Sequence, residues 1–304
     1  MISALRSMAI VSGTLLFGLA CASPGREAAW EKEAPVAGPG AQTSSSAVAG
    51  LMAEADQAWA GRDDRAKLSR AIELWESAAE RDPTNAEVMI KLSRGYYFLV
   101  DGFIALEDGD INEQKLTNHQ KGVDWGEKAL LVIDPGFGAK MKAGADFEDA
   151  IVGIQAPAIP AAYWYCTNLG RFAVAKGLSA KLFYKDRVAA AMRRILELDP
   201  KFFHAGADRY FGAFYSALPS IAGKDVPKSG EHFDKAIAAA PHYLANKLLK
   251  ADYYAVELDD KALYKKLLDE VIAGPEGDDP DCAPENRAAK RHAKKMLAKI
   301  DDRF

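Results

Sequence analysis

Four prolines constrain this chain more than any other feature. Asp82-Pro83, Asp134-Pro135, Asp199-Pro200 and Ala240-Pro241 each follow a run of apolar residues spaced three and four apart. Proline pushes the preceding residue out of the α region, so each pair ends a helix. Before Pro83 the apolar set is Leu68, Ile72, Trp75, Ala78 and Ala79. Beyond it come Val88, Leu92, Tyr96, Leu99, Phe103 and Leu106, and before Pro200 stand Val188, Met192, Ile195 and Leu196. These are helical stripes. Alternating Val, Ile and Thr runs of the strand type are missing from Ala49 onward, so the fold class is all-α.

The stops also carry a repeat. Ala71, Trp75, Ala78 and Pro83 follow steps of four, three and five residues, and Ser229, Phe233, Ala236 and Pro241 repeat them without a gap. Val188, Met192, Ile195 and Pro200 keep the steps with larger side chains. This is the second-helix spacing of the tetratricopeptide (TPR) repeat. Small residues let two helices approach, the aromatic fills the groove between them, and Pro closes the turn. A helix with such a face cannot bury it alone, so neighbours must stack. The prolines lie 52, 65 and 41 residues apart, against about 34 for tandem copies. Asp108–His119 and Leu218–Lys228 are therefore read as insertions. The expectation is an irregular TPR-like array of helical hairpins over residues 49–304, closed into one body, with room for a pore or cleft. A generic helical bundle with coincidental stops is the competing reading.

The N-terminus has the marks of an export signal. Arg6 supplies a positive charge, and Met8–Ala20 is an uncharged, largely apolar run, too short to span a bilayer, which takes about 20 apolar residues. Residues 1–20 are read as a signal peptide. The run closes on Gly18-Leu19-Ala20-Cys21, which resembles the bacterial lipobox, so Cys21 is the expected lipidation site; Gly18 stands where a lipobox usually has Leu. An ordinary signal peptide with an incidental Cys is the alternative. Ala22 rather than Asp favours the outer membrane. Residues 21–48 are rich in Ala, Gly, Pro and Ser and are read as a flexible tether. Cys166 and Cys282 remain, with no sign in the sequence of whether they pair.

The chemistry to be excluded is broad. The net charge of -4 over 304 residues offers no basic excess for nucleic acid. No phosphate-binding glycine loop, nucleophile elbow or zinc-protease motif is present. The five histidines, His119, His204, His232, His242 and His292, lack ligand spacing. The acidic run Glu276–Asp281 reads as a polar loop, because the twelfth position of a calcium loop would fall on Arg287. No enzyme, cofactor or metal site is expected. Aromatic and polar residues cluster instead in Tyr163-Trp164-Tyr165 through Gly170 and in Asp208–Tyr215. On a helix Tyr165, Leu169, Phe172 and Ala173 share one face, whereas Trp164, Asn168 and Arg171 share another, a mixture poor for core and suited to lining a groove or channel. Core packing is the competing reading for each aromatic. For Arg209 it is a structural bond between helices, against recognition of a carboxylate by its planar fork.

From about Leu68 to the end the chain resembles the TPR lipoproteins associated with tripartite (TRAP) transporters, the T component or TatT. The blocks that carry the resemblance run in order: Tyr163–Gly170, Leu198-Asp199-Pro200 through Gly206 to Arg209-Tyr210-Phe211-Gly212, Leu218-Pro219-Ser220 with Gly223-Lys224-Asp225, Ser229 through Phe233 to Pro241-His242-Tyr243, and Pro284-Glu285-Asn286 with Ala293 and Leu297. Lys224 departs from the pattern, which has a second glycine there. The resemblance implies a periplasm-facing lipoprotein whose helices surround an apolar pore or cleft. It also implies a periplasmic TRAP solute-binding protein as partner, a small organic or hydrophobic ligand, and a homotrimer. Tyr163, Trp164, Asn168, Arg209, Tyr210 and Tyr243 are the expected lining. A TPR scaffold for envelope protein assembly is the alternative function.

Overall fold

The computed structural model describes residues 26–32 and 45–304. Cys21 and the signal segment lie outside the described residues. Those described form fourteen α-helices and no strand. The first hairpin is α1 (Ser45–Ala60) with α2 (Arg65–Arg81), and the second is α3 (Ala86–Gly102) with α4 (Asn112–Ile133). Two short helices follow, α5 (Pro135–Lys142) and α6 (Phe147–Ile151). The third hairpin is α7 (Ile159–Lys176) with α8 (Leu178–Leu198), and the fourth is α9 (Phe202–Ala217) with α10 (Val226–Ala239). A fifth pairs α11 (Ala245–Leu249), prolonged by a π-helical stretch at Lys250–Ala255, with α12 (Lys261–Ala273). Helices α13 (Ala283–Ala298) and α14 (Ile300–Arg303) end the chain.

The proline stops act as the spacing requires. Helices α2, α4, α8 and α10 end at Asp82, Asp134, Asp199 and Ala240, and these four residues share one extended conformation, with φ between −126° and −151° and ψ between 71° and 91°. Helix starts are capped in the usual way, by Asp64, Asn85, Asp225 and Asp260 side chains that accept from backbone amides one turn on. The repeat positions are all buried: Ala71, Trp75 and Ala78 on α2, Val188, Met192 and Ile195 on α8, and Ser229, Phe233 and Ala236 on α10. Phe233 lies directly over Gly212 of α9, where an added Cβ would come 2.7 Å from its ring. Helix α4 carries the pattern too, at Val123, Glu127 and Leu130, all fully buried, with a carboxylate in the aromatic place.

That carboxylate explains a departure from the expected tether. Residues 26–32 do not stand off from the body. Arg26 ion-pairs with Glu127 and with Asp124, and the Ala29 amide donates to Glu127 at 2.8 Å. Trp30 packs edge-on against Phe137 and Tyr165, with centroids 5.8 and 6.1 Å away. Burial pushes the Glu127 carboxyl up to about 7 against the opposing pull of Arg26. Of the segments read as insertions, Asn112–His119 form the first turns of α4; the extra length before Pro200 is α5 and α6.

The array closes on itself. Glu285 of α13 accepts from Arg62 at 2.7 Å and from Arg94 at 2.9 Å; Arg62 is only 1% exposed and its guanidinium covers Trp59. Further along α13, Arg291 and Lys295 donate to the carbonyls of Gly102, at the end of α3, and of Leu106 just after it. No helix of the described residues is long and apolar enough to cross a membrane.

Candidate functional site

A cavity of about 150 Å³ opens between α7, α8, α9 and the π-helical stretch. Its apolar walls come from Val174, Val188, Met192, Phe214 and Leu249. The polar lining is unusual in sign. Arg171, Lys181, Lys185 and Arg209 reach it, and among the described residues no Asp or Glu does. Lys185 pairs with Asp186 at 2.7 Å, and Arg171 lies 3.8 Å from Asp101. Lys181 donates to the Ala217 carbonyl at 3.1 Å. Arg209 is 6% exposed and meets only neutral acceptors: Asn246 Oδ1 at 2.8 Å, Tyr163 Oη at 2.8 Å, and the carbonyls of His204 and Phe203 at 3.1 and 3.3 Å.

Two tyrosines convert this charge into directed donors. The Tyr163 hydroxyl oxygen accepts from Arg209, so its own proton is free to point at a guest. Tyr97 stands in the same relation to Arg171, and burial raises its pKa, so it stays a phenol. An unpaired buried guanidinium backed by phenolic donors is suited to an anion, because charge-assisted hydrogen bonds are about twice as strong as neutral ones. The surrounding walls suit an apolar body. Helix α9 approaches α7 closely here: a Cβ at Gly206 would come 2.4 Å from the Tyr163 hydroxyl.

A family model described as the TRAP transporter T-component matches residues 65–304. The chain belongs to that family. No curated protein matches it. The family is one of accessory transporter proteins, and membership associates this chain with the TRAP system and the periplasm.

The residues expected to line this T-component's cleft divide three ways. Tyr163, Arg209 and Tyr210 reach the cavity. Trp164 points away from it, into a second cavity of about 470 Å³ that it shares with Arg94, Phe203, His204 and Asp281; its ring meets Phe203 at 4.6 Å. Asn168 and Tyr243 reach neither cavity. Asn168 is fully buried where α3, α4 and α7 cross. Its amide donates to the Ser93 and Trp164 carbonyls at 2.9 and 3.0 Å, and its oxygen meets His119 Nδ1 at 3.0 Å. Burial holds His119 down to about 4, hence neutral. Tyr243 supports Arg209 from behind, its ring 4.8 Å from the guanidinium. Helical spacing placed Trp164, Asn168 and Arg171 on one face correctly, but α3 and α4 cover most of that face.

Sequence reasoning missed three features. Tyr97 and Tyr253 enter from elements without an obvious lining signature, the latter through the π-helical turn, a distortion frequent at functional sites. The third is a left-handed turn at the start of α9, where Phe203, His204 and Ala205 have φ of 44°, 56° and 58°. Such geometry costs about 1–2 kcal/mol per non-glycine residue. Arg209 holds it through the Phe203 and His204 carbonyls. The turn also brings His204 to His242 and Cys282. Cys166 and Cys282 are both free and buried. At Lys224, the expected glycine is not needed: Gly223 alone takes the left-handed φ of 103°, and Lys224 pairs with Glu257 at 2.6 Å.

Proposed function

We propose that this T-component binds a small organic anion with an apolar body in the α7–α8–α9 cavity and exchanges it with a periplasmic TRAP solute-binding protein. The single observation behind this reading is a largely apolar cavity whose charged lining is entirely cationic. A volume of about 150 Å³ is the size that accepts a benzene-sized guest. The carboxylate would accept hydrogen bonds from the Tyr163 and Tyr97 hydroxyls, and the charge of Arg209 and Arg171 would offset its own.

The docking surface we assign to the solute-binding protein is the rim of this cavity. Val174, Leu178 and Phe183 are more than half exposed at the α7–α8 turn, beside Lys181 and Lys185. Exposed apolar groups rimmed by charge mark interaction sites. Lipidation at Cys21, an outer-membrane position and a homotrimer complete the proposal. The closure of α13 onto α3 argues against an open peptide-binding groove and hence against the scaffold alternative.

Co-purification of the full-length protein with the solute-binding protein of its own transporter tests the partner. The expected result is a complex that Leu178→Asp with Phe183→Asp abolishes while the helical spectrum stays intact. A wild-type protein that captures no solute-binding protein at high micromolar concentration would defeat the reading.

A further inference from the structure

His204, His242 and Cys282 come from three separate segments: the left-handed turn of α9, the loop after Pro241, and the residue before α13. Their ligand atoms all lie within 4.8 Å of one another. His204 Nδ1 faces His242 Nε2 at 3.1 Å. Two imidazole nitrogens on a tetrahedral zinc ion stand about 3.3 Å apart, and an imidazole nitrogen and a thiolate about 3.6 Å, given bond lengths of about 2.0 and 2.3 Å. The histidine pair is thus already at ligand spacing, and the thiol closes the set with a shift of about an ångström. The Cys282 amide donates to the Asp279 carbonyl at 3.1 Å, which holds the thiol in place at the start of α13.

The surroundings hold these groups in place. Arg209 fixes the His204 carbonyl at 3.1 Å. Asn286 donates to the His242 carbonyl at 2.9 Å from a position one helical turn beyond Cys282. The His204 ring is stacked on Tyr243, with centroids 4.4 Å apart and planes within 10°. Backbone strain that persists because its surroundings enforce it is concentrated at functional sites, and here it is the strained turn that delivers His204. Access is open: His242 is exposed, and His204 lines the second cavity.

We propose that His204, His242 and Cys282 form a binding site for a borderline-soft divalent cation of the zinc class, with a water as fourth ligand. Imidazole and thiolate select such ions over magnesium or calcium, which take oxygen. The ion would tie α9, the α10–α11 turn and α13 together. Binding moves the thiol proton to solvent and requires no redox partner. The site lies outside the anion cavity, and the proposal does not depend on what that cavity binds.

Cobalt(II) is the probe. Full-length protein, prepared without a histidine tag, stripped with chelator and kept reduced, is titrated with Co²⁺ and then Zn²⁺. The expected spectrum has tetrahedral d–d bands and a thiolate-to-cobalt charge-transfer band that saturate at one ion per chain and are displaced by Zn²⁺. Cys282→Ser should remove the charge-transfer band, and His242→Ala, at an exposed position, should weaken binding by at least about tenfold with an unchanged circular dichroism spectrum. Cys166→Ser should change nothing. Absence of a saturable cobalt spectrum, or one that survives in both Cys282→Ser and His242→Ala, would overturn the assignment.

Discussion

The contact between Phe233 and Gly212 is where the repeat spacing makes its most quantitative demand. Phe233 is fully buried, and its ring lies where a Cβ on Gly212 would have to go, 2.7 Å from the nearest ring atoms. Phe233→Ala should cost about 3–5 kcal/mol. Taking a urea dependence of about 3 kcal/mol per molar, the unfolding midpoint falls by more than about 1 M. Gly212→Ala alone should cost about 1–3 kcal/mol through overpacking. In the Phe233→Ala background the obstruction is gone and the methyl enters the space it leaves. The glycine substitution then gains helix propensity, about 1 kcal/mol, and should be neutral or stabilising. The coupling is therefore about 2–4 kcal/mol, with a change of sign. Urea unfolding of the four proteins, followed by circular dichroism, measures it. Equal costs for Gly212→Ala in both backgrounds would refute an aromatic seated in a small-residue groove.

Other outcomes follow from the same geometry. Glu285→Ala leaves Arg62 buried without its carboxylate and should destabilise the protein by about 3–5 kcal/mol in chemical unfolding. Arg26→Met leaves Glu127 unpaired, and the loss should be largely relieved in the double variant with Glu127→Gln; a loss that the second change does not relieve would deny the pairing its role. His119 is held neutral by burial, its value falling from 6.5 to about 4, so the stability it supports is present above pH 6.5 and is lost as the pH falls towards 4. Relative to His119→Gln, the wild type should lose about 3 kcal/mol across that interval, read from unfolding curves at each pH. Tyr163→Phe removes the proton offered to a guest, and calorimetry should show carboxylate binding weakened about tenfold.

What could be read from the sequence was local. A residue before proline and a small–aromatic–small stripe act within one helix, so the ends at Asp82, Asp134, Asp199 and Ala240 and the burial of Trp75 and Phe233 were legible. The fourth copy was hidden because Glu127 fills its aromatic place, and the docked Arg26 and the Ala29 amide make that burial tolerable. The site was half legible for the same reason. Tyr163, Arg209 and Tyr210 line the cavity because α7 and α9 themselves form it. Asn168 has the same helical phase as a lining residue, yet the crossing of α3 and α4 seals it. The convergence of His204, His242 and Cys282 depends on a left-handed turn and on the return of α13, neither of which leaves a spacing in the chain.

The anion preference of the cavity can be tested with one ligand pair. A short-chain aromatic carboxylate and the alcohol of the same skeleton differ only in the group that would meet Tyr163 and Tyr97. Isothermal titration of the full-length protein should show one carboxylate bound per chain, at least about tenfold tighter than the alcohol, and Arg209→Met should erase the difference. Equal affinity for the two, or a preference for the alcohol, would contradict an anion site.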